Sequence, residues 1–257
     1  MSLVKKLLSM EDTLRLVEMA FREKGLNRVQ MPPKLYLFFG KYRGDLRVMP
    51  SYLEKLDQCG VKIVNVHLDN PAKHNLPTIM ATIILYDPKT ATPLAIMDGT
   101  WITAMRTGAA ASIATKYLAR KDSKTVGVVG AGYQAPFQLE ALNEVMNIES
   151  VKAYDLRKEK AEEFAREMSS RFRIDIRAVD TLKDAVRDVD VLVTLTPVRE
   201  PIIKNKWITE GMHINAIGAD APGKEELEPE ILRRAKIVVD DWAQASHSGE
   251  INVPFEK

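Results

Sequence analysis

The stretch "TVGVVGAGYQA" (residues 125–135) constrains this chain more than any other segment. Apolar and β-branched residues run into Gly130-Ala131-Gly132, and a helix-compatible run follows, which predicts a strand turning sharply into a helix. Gly130-x-Gly132-x-x-Ala135 fits the pattern G-x-G-x-x-G/A. There the first glycine permits the tight turn, the second lets a pyrophosphate reach the backbone, and the small third residue lets helix and strand pack closely. N–H groups at the helix start then hold the phosphates. Glycines mark many turns, so a plain tight turn is the competing reading. The next strand, "VKAYD", ends in Asp155, near the place, about 20 residues on, where an acid binds the ribose 2′-OH. An acid there repels a 2′-phosphate and favours NAD over NADP. Arg157 beside it could pair with that phosphate, which keeps NADP open.

From this turn onward strands and helices alternate. Strands are expected near 125–130, 151–155, 174–178, 190–194, 212–217 and 236–239, and helices near 133–146, 158–172, 181–187 and 226–234. Such alternation implies a parallel, doubly wound sheet. The earlier part reads differently. After an opening helix with Leu14, Val17, Ala20 and Phe21 at helical spacing, "KLYLFF", "LRVMP", 60–68, 78–87 and "LAIMD" read as strands without regular helices between them. That predicts a largely antiparallel sheet. Residues 100–118 read as one helix, with Thr100 as N-cap and Ala109, Ala110, Ala111 and Ala114 as a small-residue face. The expectation is α/β: a mixed α+β unit over 1–118 that ends on this bridging helix, then a Rossmann unit over 119–257.

Bulk properties narrow the class. The chain has 257 residues, 46% hydrophobic and 28% charged, with a net charge of +2. Both signs are interspersed, so no basic stripe for nucleic acid is expected. Cys59 is the only cysteine, which excludes an intrachain disulfide and fits a reducing cytoplasm. No apolar run is long enough to span a bilayer. The four histidines, His67, His74, His213 and His247, have no carboxylate at metal-ligand spacing, so no metal site is expected.

Further segments extend the pattern over nearly the whole chain: "QMPPK", "GDLRVMP", "GVKIVNVH", "LPTIMA", "MDGTWITAMRTGAAASIATKYLARKDS", "GVVGAGYQA", "GMHINAIGADAPGKEEL" and "GEINV". In this order they resemble the ornithine cyclodeaminase/mu-crystallin family. The resemblance implies a substrate-binding and dimerisation domain followed by an NAD(P)-binding Rossmann domain, and a homodimer acting on a small amino acid. The family continues beyond "GEINV" with a further strand and helices. By that comparison the C-terminus is expected to be short, leaving an open sheet edge and the Rossmann unit incomplete.

The resemblance also assigns residues. A lone strand lysine is ordinarily a solvated face residue, but the match of Lys62 points into the active site, where a desolvated amine serves as a base. Asp220 matches a catalytic acid/base; a surface loop aspartate is the bland reading. Arg47 faces away from Leu46 and Val48, and a fixed guanidinium suits a substrate carboxylate. Lys34 resembles a second basic substrate-binding position. Arg106, in "MRTG", matches a residue at the cofactor–substrate junction. Thr78 matches a cofactor contact, and Thr196 a nicotinamide-side contact. Lys224 matches a cofactor contact or a loop closer. Gly130, Gly132, Tyr133, Gln134 and Ala135 form the family's version of the phosphate turn. Ile214, Asn215, Ala216 and Ile217 lead to a strand's C-terminal end, where such sheets place ligands.

Within the family, cyclodeaminases carry a Glu where this chain has Arg47, which suits a cationic substrate. An Arg suits a small substrate gripped by its carboxylate alone. The leading expectation is therefore NAD-dependent oxidative deamination of L-alanine to pyruvate and ammonium. The alternatives are ornithine cyclodeaminase, with NAD recycled, and a mu-crystallin-like ligand-binding protein or ketimine reductase.

Overall fold

The computed structural model describes residues 2–256. The chain divides into two units between Arg106 and Thr107. The division falls inside the bridging helix rather than at its end.

The first unit opens with α1 (Ser2–Leu7) and α2 (Met10–Gly25). Ser9 caps α2 by accepting the Asp12 N–H at 3.1 Å. The strands are β1 (Val29–Gln30), β2 (Leu35–Phe39), β3 (Gly44–Leu53) and β4 (Gln58–His67), then, after α3 (Asn70–His74), β5 (Ile79–Tyr86) and β6 (Pro93–Asp98). They form an antiparallel sheet of order β1-β3-β4-β5-β6, with β2 also on β3. β3 is longer than the short return strand expected, because it pairs along its whole length with β4. β1 was not anticipated; at two residues it carries no periodicity to read.

α4 (Thr100–Leu118) follows. Thr100 is not its cap. Asp98 Oδ1 accepts the Thr100 and Trp101 N–H groups at 3.0 and 3.4 Å, while Thr100 Oγ1 accepts the Ala81 N–H at 3.0 Å and ties the helix start to β5. The small-residue face serves close packing as expected. A Cβ on Gly108 would lie 2.4 Å from the Phe137 carbonyl oxygen, so only glycine admits that approach.

The second unit alternates β7 (Thr125–Val129), α5 (Ala135–Val145), β8 (Ser150–Tyr154), α6 (Lys158–Phe172), β9 (Asp175–Ala178), α7 (Leu182–Val186), β10 (Val191–Thr194) and β11 (His213–Ala216). α8 (Pro229–Arg234), α9 (Trp242–Ser248) and α10 (Asn252–Glu256) follow. The strands form a parallel sheet of order β9-β8-β7-β10-β11. Apolar residues fill both faces: Val126, Val128, Val191 and Val193 pack on one, Val129 and Leu192 on the other. This is the pattern of a sheet covered on both sides.

Two expectations fail here. Residues 236–239 make no strand, and Ile237 and Val238 stay about half exposed. A β-branched run becomes a strand only when a neighbour supplies the ladder. The helix expected from 226 starts at Pro229, because the Glu226 carbonyl accepts the Ile202 and Ile203 N–H groups and Leu227 bridges Ile203, which holds the chain extended there. No helix among the described residues is long and apolar enough to cross a membrane.

Candidate functional site

The first unit gathers cations on one sheet face. In an antiparallel pair, residues directly opposite share a face. Tyr36 opposes Arg47, Arg47 opposes Val64, and Met49 opposes Lys62, so the β2-β3-β4 register puts Tyr36, Arg47 and Lys62 on the same side. The Lys34 ammonium and the Arg47 guanidinium both lie over the Tyr36 ring, 5.7 and 5.5 Å from its centre. Arg47 is buried, and its Nε and Nη2 each donate to Asp45 at 3.0 Å. This bidentate pair fixes the plane of the guanidinium and occupies both Asp45 oxygens.

Lys62 is only half-buried by surface area, yet protein atoms crowd its ammonium. Desolvation, then the charges of Arg106, Lys34 and Arg47, push its pKa from 10.5 down to about 6. The amine is therefore neutral at pH 7 and able to accept a proton. The structure thus brings together Lys34, Arg47, Lys62 and Arg106. Thr78 immediately precedes β5, where its carbonyl accepts the His67 N–H at 2.9 Å.

In the second unit the candidate ligand site is a crevice at strand ends. Connections leave β7 toward β8 on one side and return to β10 on the other, so the topology reverses between β7 and β10. Open α/β sheets bind ligands at such a point. Gly130 has φ +99°, and a Cβ there would lie 3.2 Å from the Leu195 backbone of the loop after β10. A Cβ on Gly132 would meet no atom within 4 Å, so the turn is open on the side where a phosphate would approach. Ala135 is fully buried at the start of α5, and Tyr133 and Gln134 lie in the turn just before it. Asp155, just past β8, accepts the Ala131 N–H through Oδ2 and the Arg157 N–H through Oδ1, both at 2.9 Å. The acid is thereby held against the phosphate turn. These residues fit a dinucleotide: small where its pyrophosphate must come close, acidic where a ribose offers hydroxyls.

The far side of the crevice rests on residues that sequence reasoning missed. Glu226 is fully buried. Its Oε1 accepts the Thr196 N–H at 2.7 Å and the Thr196 hydroxyl at 2.6 Å. Its Oε2 accepts the Thr194 hydroxyl at 2.7 Å and the Gly218 N–H at 2.8 Å. Burial raises the Glu226 pKa, and these donors oppose the rise. Glu250 accepts the Glu226 and Leu227 N–H groups at 2.8 and 2.6 Å, and burial pushes its pKa up to about 8. Asn252 grips the loop before Glu226, accepting the Gly223 N–H at 2.9 Å and donating to the Lys224 carbonyl at 2.8 Å. The signal was in "GKEEL" and "GEINV": polar residues repeated among apolar ones, in segments that matched only as motifs.

Asp220 lies in that loop, and Lys224 Nζ donates to its Oδ1 at 2.5 Å. Lys224 therefore closes the loop on Asp220. Ile214, Asn215 and Ala216 lie in β11, with Ile217 just after it. The Asn215 side chain is occupied inside the unit, by His213 at 3.0 Å and Thr115 at 2.8 Å. Among the described residues no group of three His, Cys, Asp or Glu side chains could hold a metal ion.

A doubly wound unit with a glycine phosphate turn, preceded by an antiparallel unit that carries a desolvated lysine among cations, defines a two-unit α/β protein of the dinucleotide-binding type. The chain belongs to the ornithine cyclodeaminase/mu-crystallin family, whose model matches residues 1–257. It is 53% identical to an alanine dehydrogenase of Archaeoglobus fulgidus over 99% of this chain and 76% of that protein. It is similar to a solved archaeal alanine dehydrogenase dimer with bound NAD, at TM-score 0.93 and 52% identity, covering 98% of this chain and 77% of that one. It is also similar to the Δ1-pyrroline-2-carboxylate reductase of Thermococcus litoralis, solved with NADH and L-proline. That match has TM-score 0.95 and 44% identity and covers 98% and 78% of the two chains.

Proposed function

We propose that this protein oxidises L-alanine to pyruvate and ammonium with NAD as the hydride acceptor. The observation that carries the reading is the cation set around Lys62, in which the neighbouring acid, Asp45, is already bonded to Arg47 through both oxygens. Such a set offers a substrate carboxylate several partners. The side-chain ammonium of ornithine would meet cations there instead.

NAD, when bound, supplies a site for the hydride that leaves the substrate Cα. The chain's own residues do the rest. Arg47, with Lys34, holds the carboxylate and orients Cα. Arg106 adds positive charge on the same side. Neutral Lys62 takes a proton from the substrate ammonium, so that the nitrogen lone pair can form the imine as the hydride departs. Water then adds to the protonated imine, Asp220 accepting the water proton and returning it to the nitrogen as ammonium leaves; Lys62, protonated in the first step, does not take a second proton. The turn from Gly130 to Ala135 holds the pyrophosphate. Asp155 accepts the ribose 2′-OH and disfavours a 2′-phosphate, which makes NAD the preferred form. Thr78, Thr196, Lys224 and the segment Ile214–Ile217 complete the cofactor contacts, with Asn215 contributing through its backbone.

A second reading is favoured by the likeness to the Thermococcus litoralis reductase: reduction of a cyclic imine carboxylate. The same carboxylate grip would serve, with protonated Lys62 as donor to the imine nitrogen. We further propose a homodimer. Leu35, Leu37 and Ile96, at 58%, 50% and 71% exposure, share the first sheet's face opposite Lys62.

One substrate panel tests these readings: L-alanine with NAD⁺, Δ1-pyrroline-2-carboxylate with NADH, and L-ornithine with NAD⁺. Absorbance at 340 nm is followed, with product analysis for pyruvate and proline. The proposal expects the highest kcat/KM for alanine, with one pyruvate per NADH. Ornithine converted to proline without net NADH, or turnover confined to the cyclic imine, would refute it.

A further inference from the structure

We propose that Glu226 is a positioning residue for the nicotinamide half of the cofactor site. It holds the loops after β10 and β11 in register, and Glu250 anchors it in turn. The inference rests on the reading that this crevice binds NAD.

The two carboxylate oxygens do different jobs. Oε1 takes the backbone N–H of Thr196, in the loop after β10, and Oε2 takes that of Gly218, in the loop after β11. One rigid, planar group thereby sets the spacing of the two loops. A carboxylate is suited to this because it presents two acceptor oxygens and no donor. A glutamine of the same shape would turn its NH2 toward one of the two N–H groups. The approach is close enough to dictate a neighbour: a Cβ on Gly218 would lie 2.6 Å from the Glu226 carboxyl carbon.

Glu226 is itself held at both ends of its peptide. Its carbonyl accepts the Ile202 and Ile203 N–H groups at 2.9 and 3.0 Å, and its N–H donates to Glu250. The carboxylate therefore cannot follow a shifting loop; the loops are referenced to it.

Its position in the sheet decides which part of the cofactor it governs. Asp155 follows β8, on one side of β7, whereas Thr196 and Gly218 follow β10 and β11 on the other. The ribose-binding acid and the glycine turn serve the adenosine and pyrophosphate end. The loops tied by Glu226 serve the opposite end, and no hydrogen bond from Glu226 reaches the glycine turn or Asp155.

The test compares NADH with ADP-ribose, which keeps the adenosine, the pyrophosphate and both riboses but lacks nicotinamide. Both are titrated against the wild-type protein and Glu226→Gln, by NADH fluorescence and by calorimetry, with thermal unfolding followed in parallel. A buried donor left without its acceptor corresponds to roughly a tenfold or greater loss of affinity. The expected result is at least that loss for NADH, with ADP-ribose affinity changed less than about twofold. Parallel weakening of both ligands would reduce Glu226 to a general stabiliser and overturn the proposal, as would unchanged NADH affinity. If Glu226→Gln does not fold, Thr194→Val, which removes the hydroxyl donor to Oε2 at a fully buried position outside the cofactor contacts, must show the same selectivity at smaller size, and Thr194→Ser must restore wild-type binding; any other pattern overturns it. Failure of the wild-type protein to bind either ligand would instead refute the NAD reading itself.

Discussion

In the first unit the candidate functional groups sit at the ends of long side chains on one sheet face. In the second they are mostly backbone N–H groups at strand ends, braced by short or buried side chains. The first arrangement is electrostatically strained: burial, and after it three like charges, drive the proton off Lys62. The second is held by hydrogen bonds, with Asp155 and Glu226 each holding backbone donors from the loops they face. A proton-transfer site needs a group poised to change charge, and a cofactor site needs a fixed shape. Substitutions in the two units should therefore fail in different ways.

The largest effect is expected for Lys62→Met. Loss of a general base costs about 10²–10⁴-fold in turnover, so kcat should fall by about that factor with NADH affinity unchanged. Stability should move the other way. Between pH 6 and pH 10.5 the unfolded chain binds a proton at Lys62 that the folded chain does not. Stability therefore rises with pH through that window, and the penalty is fully present below about 6. Removing the amine relieves the penalty, so Lys62→Met should raise Tm at pH 7. A lower Tm would contradict the burial assigned to this lysine.

Gly132→Val should act in the opposite unit and the opposite way. Its Cβ enters open space, so Tm should hold, while NADH affinity falls by about 100-fold as the side chain fills the phosphate approach. A fall in Tm with affinity preserved would show that this turn is structural only. Arg47→Met should raise KM for the amino acid by about 10- to 100-fold through loss of a charge-assisted bidentate contact. It also strands Asp45, so Tm should drop; an unchanged KM would remove Arg47 from the carboxylate site. The smallest effect is expected for Lys34→Gln. With one cation fewer beside it, Lys62 regains its proton more easily, and the acid limb of kcat/KM should move to higher pH by a fraction of a unit. A shift to lower pH would contradict the cation set.

The same contrast explains what could be read from the sequence. The glycine turn is a local feature, since strand, turn residues and helix start lie within one short segment, and it folds as the residues imply. Lys62 and Arg47 were legible as candidates only through the family resemblance. Their burial and convergence depend on the β2-β3-β4 register, which no local pattern encodes. Asp98 outcompeted Thr100 for the start of α4 because its carboxylate reaches two N–H groups, leaving the Thr100 hydroxyl for β5. Glu226 and Glu250 carry no local signal of burial, because burying a carboxylate is costly unless donors surround it. Those donors, on β10 and on loops, lie 8 to 32 residues away in sequence. The run 236–239 had strand composition but gained no partner strand.

The central claim is that the first unit holds a neutral lysine inside a receptor for a carboxylate. The most direct measurement is the titration of the Lys62 side chain, followed by its ¹³Cε resonance in protein labelled at lysine and assigned with Lys62→Met. The account predicts a midpoint near 6 in the free protein, rising when pyruvate occupies the site and adds a negative charge beside the amine. A midpoint in the ordinary lysine range, unmoved by pyruvate, would contradict it.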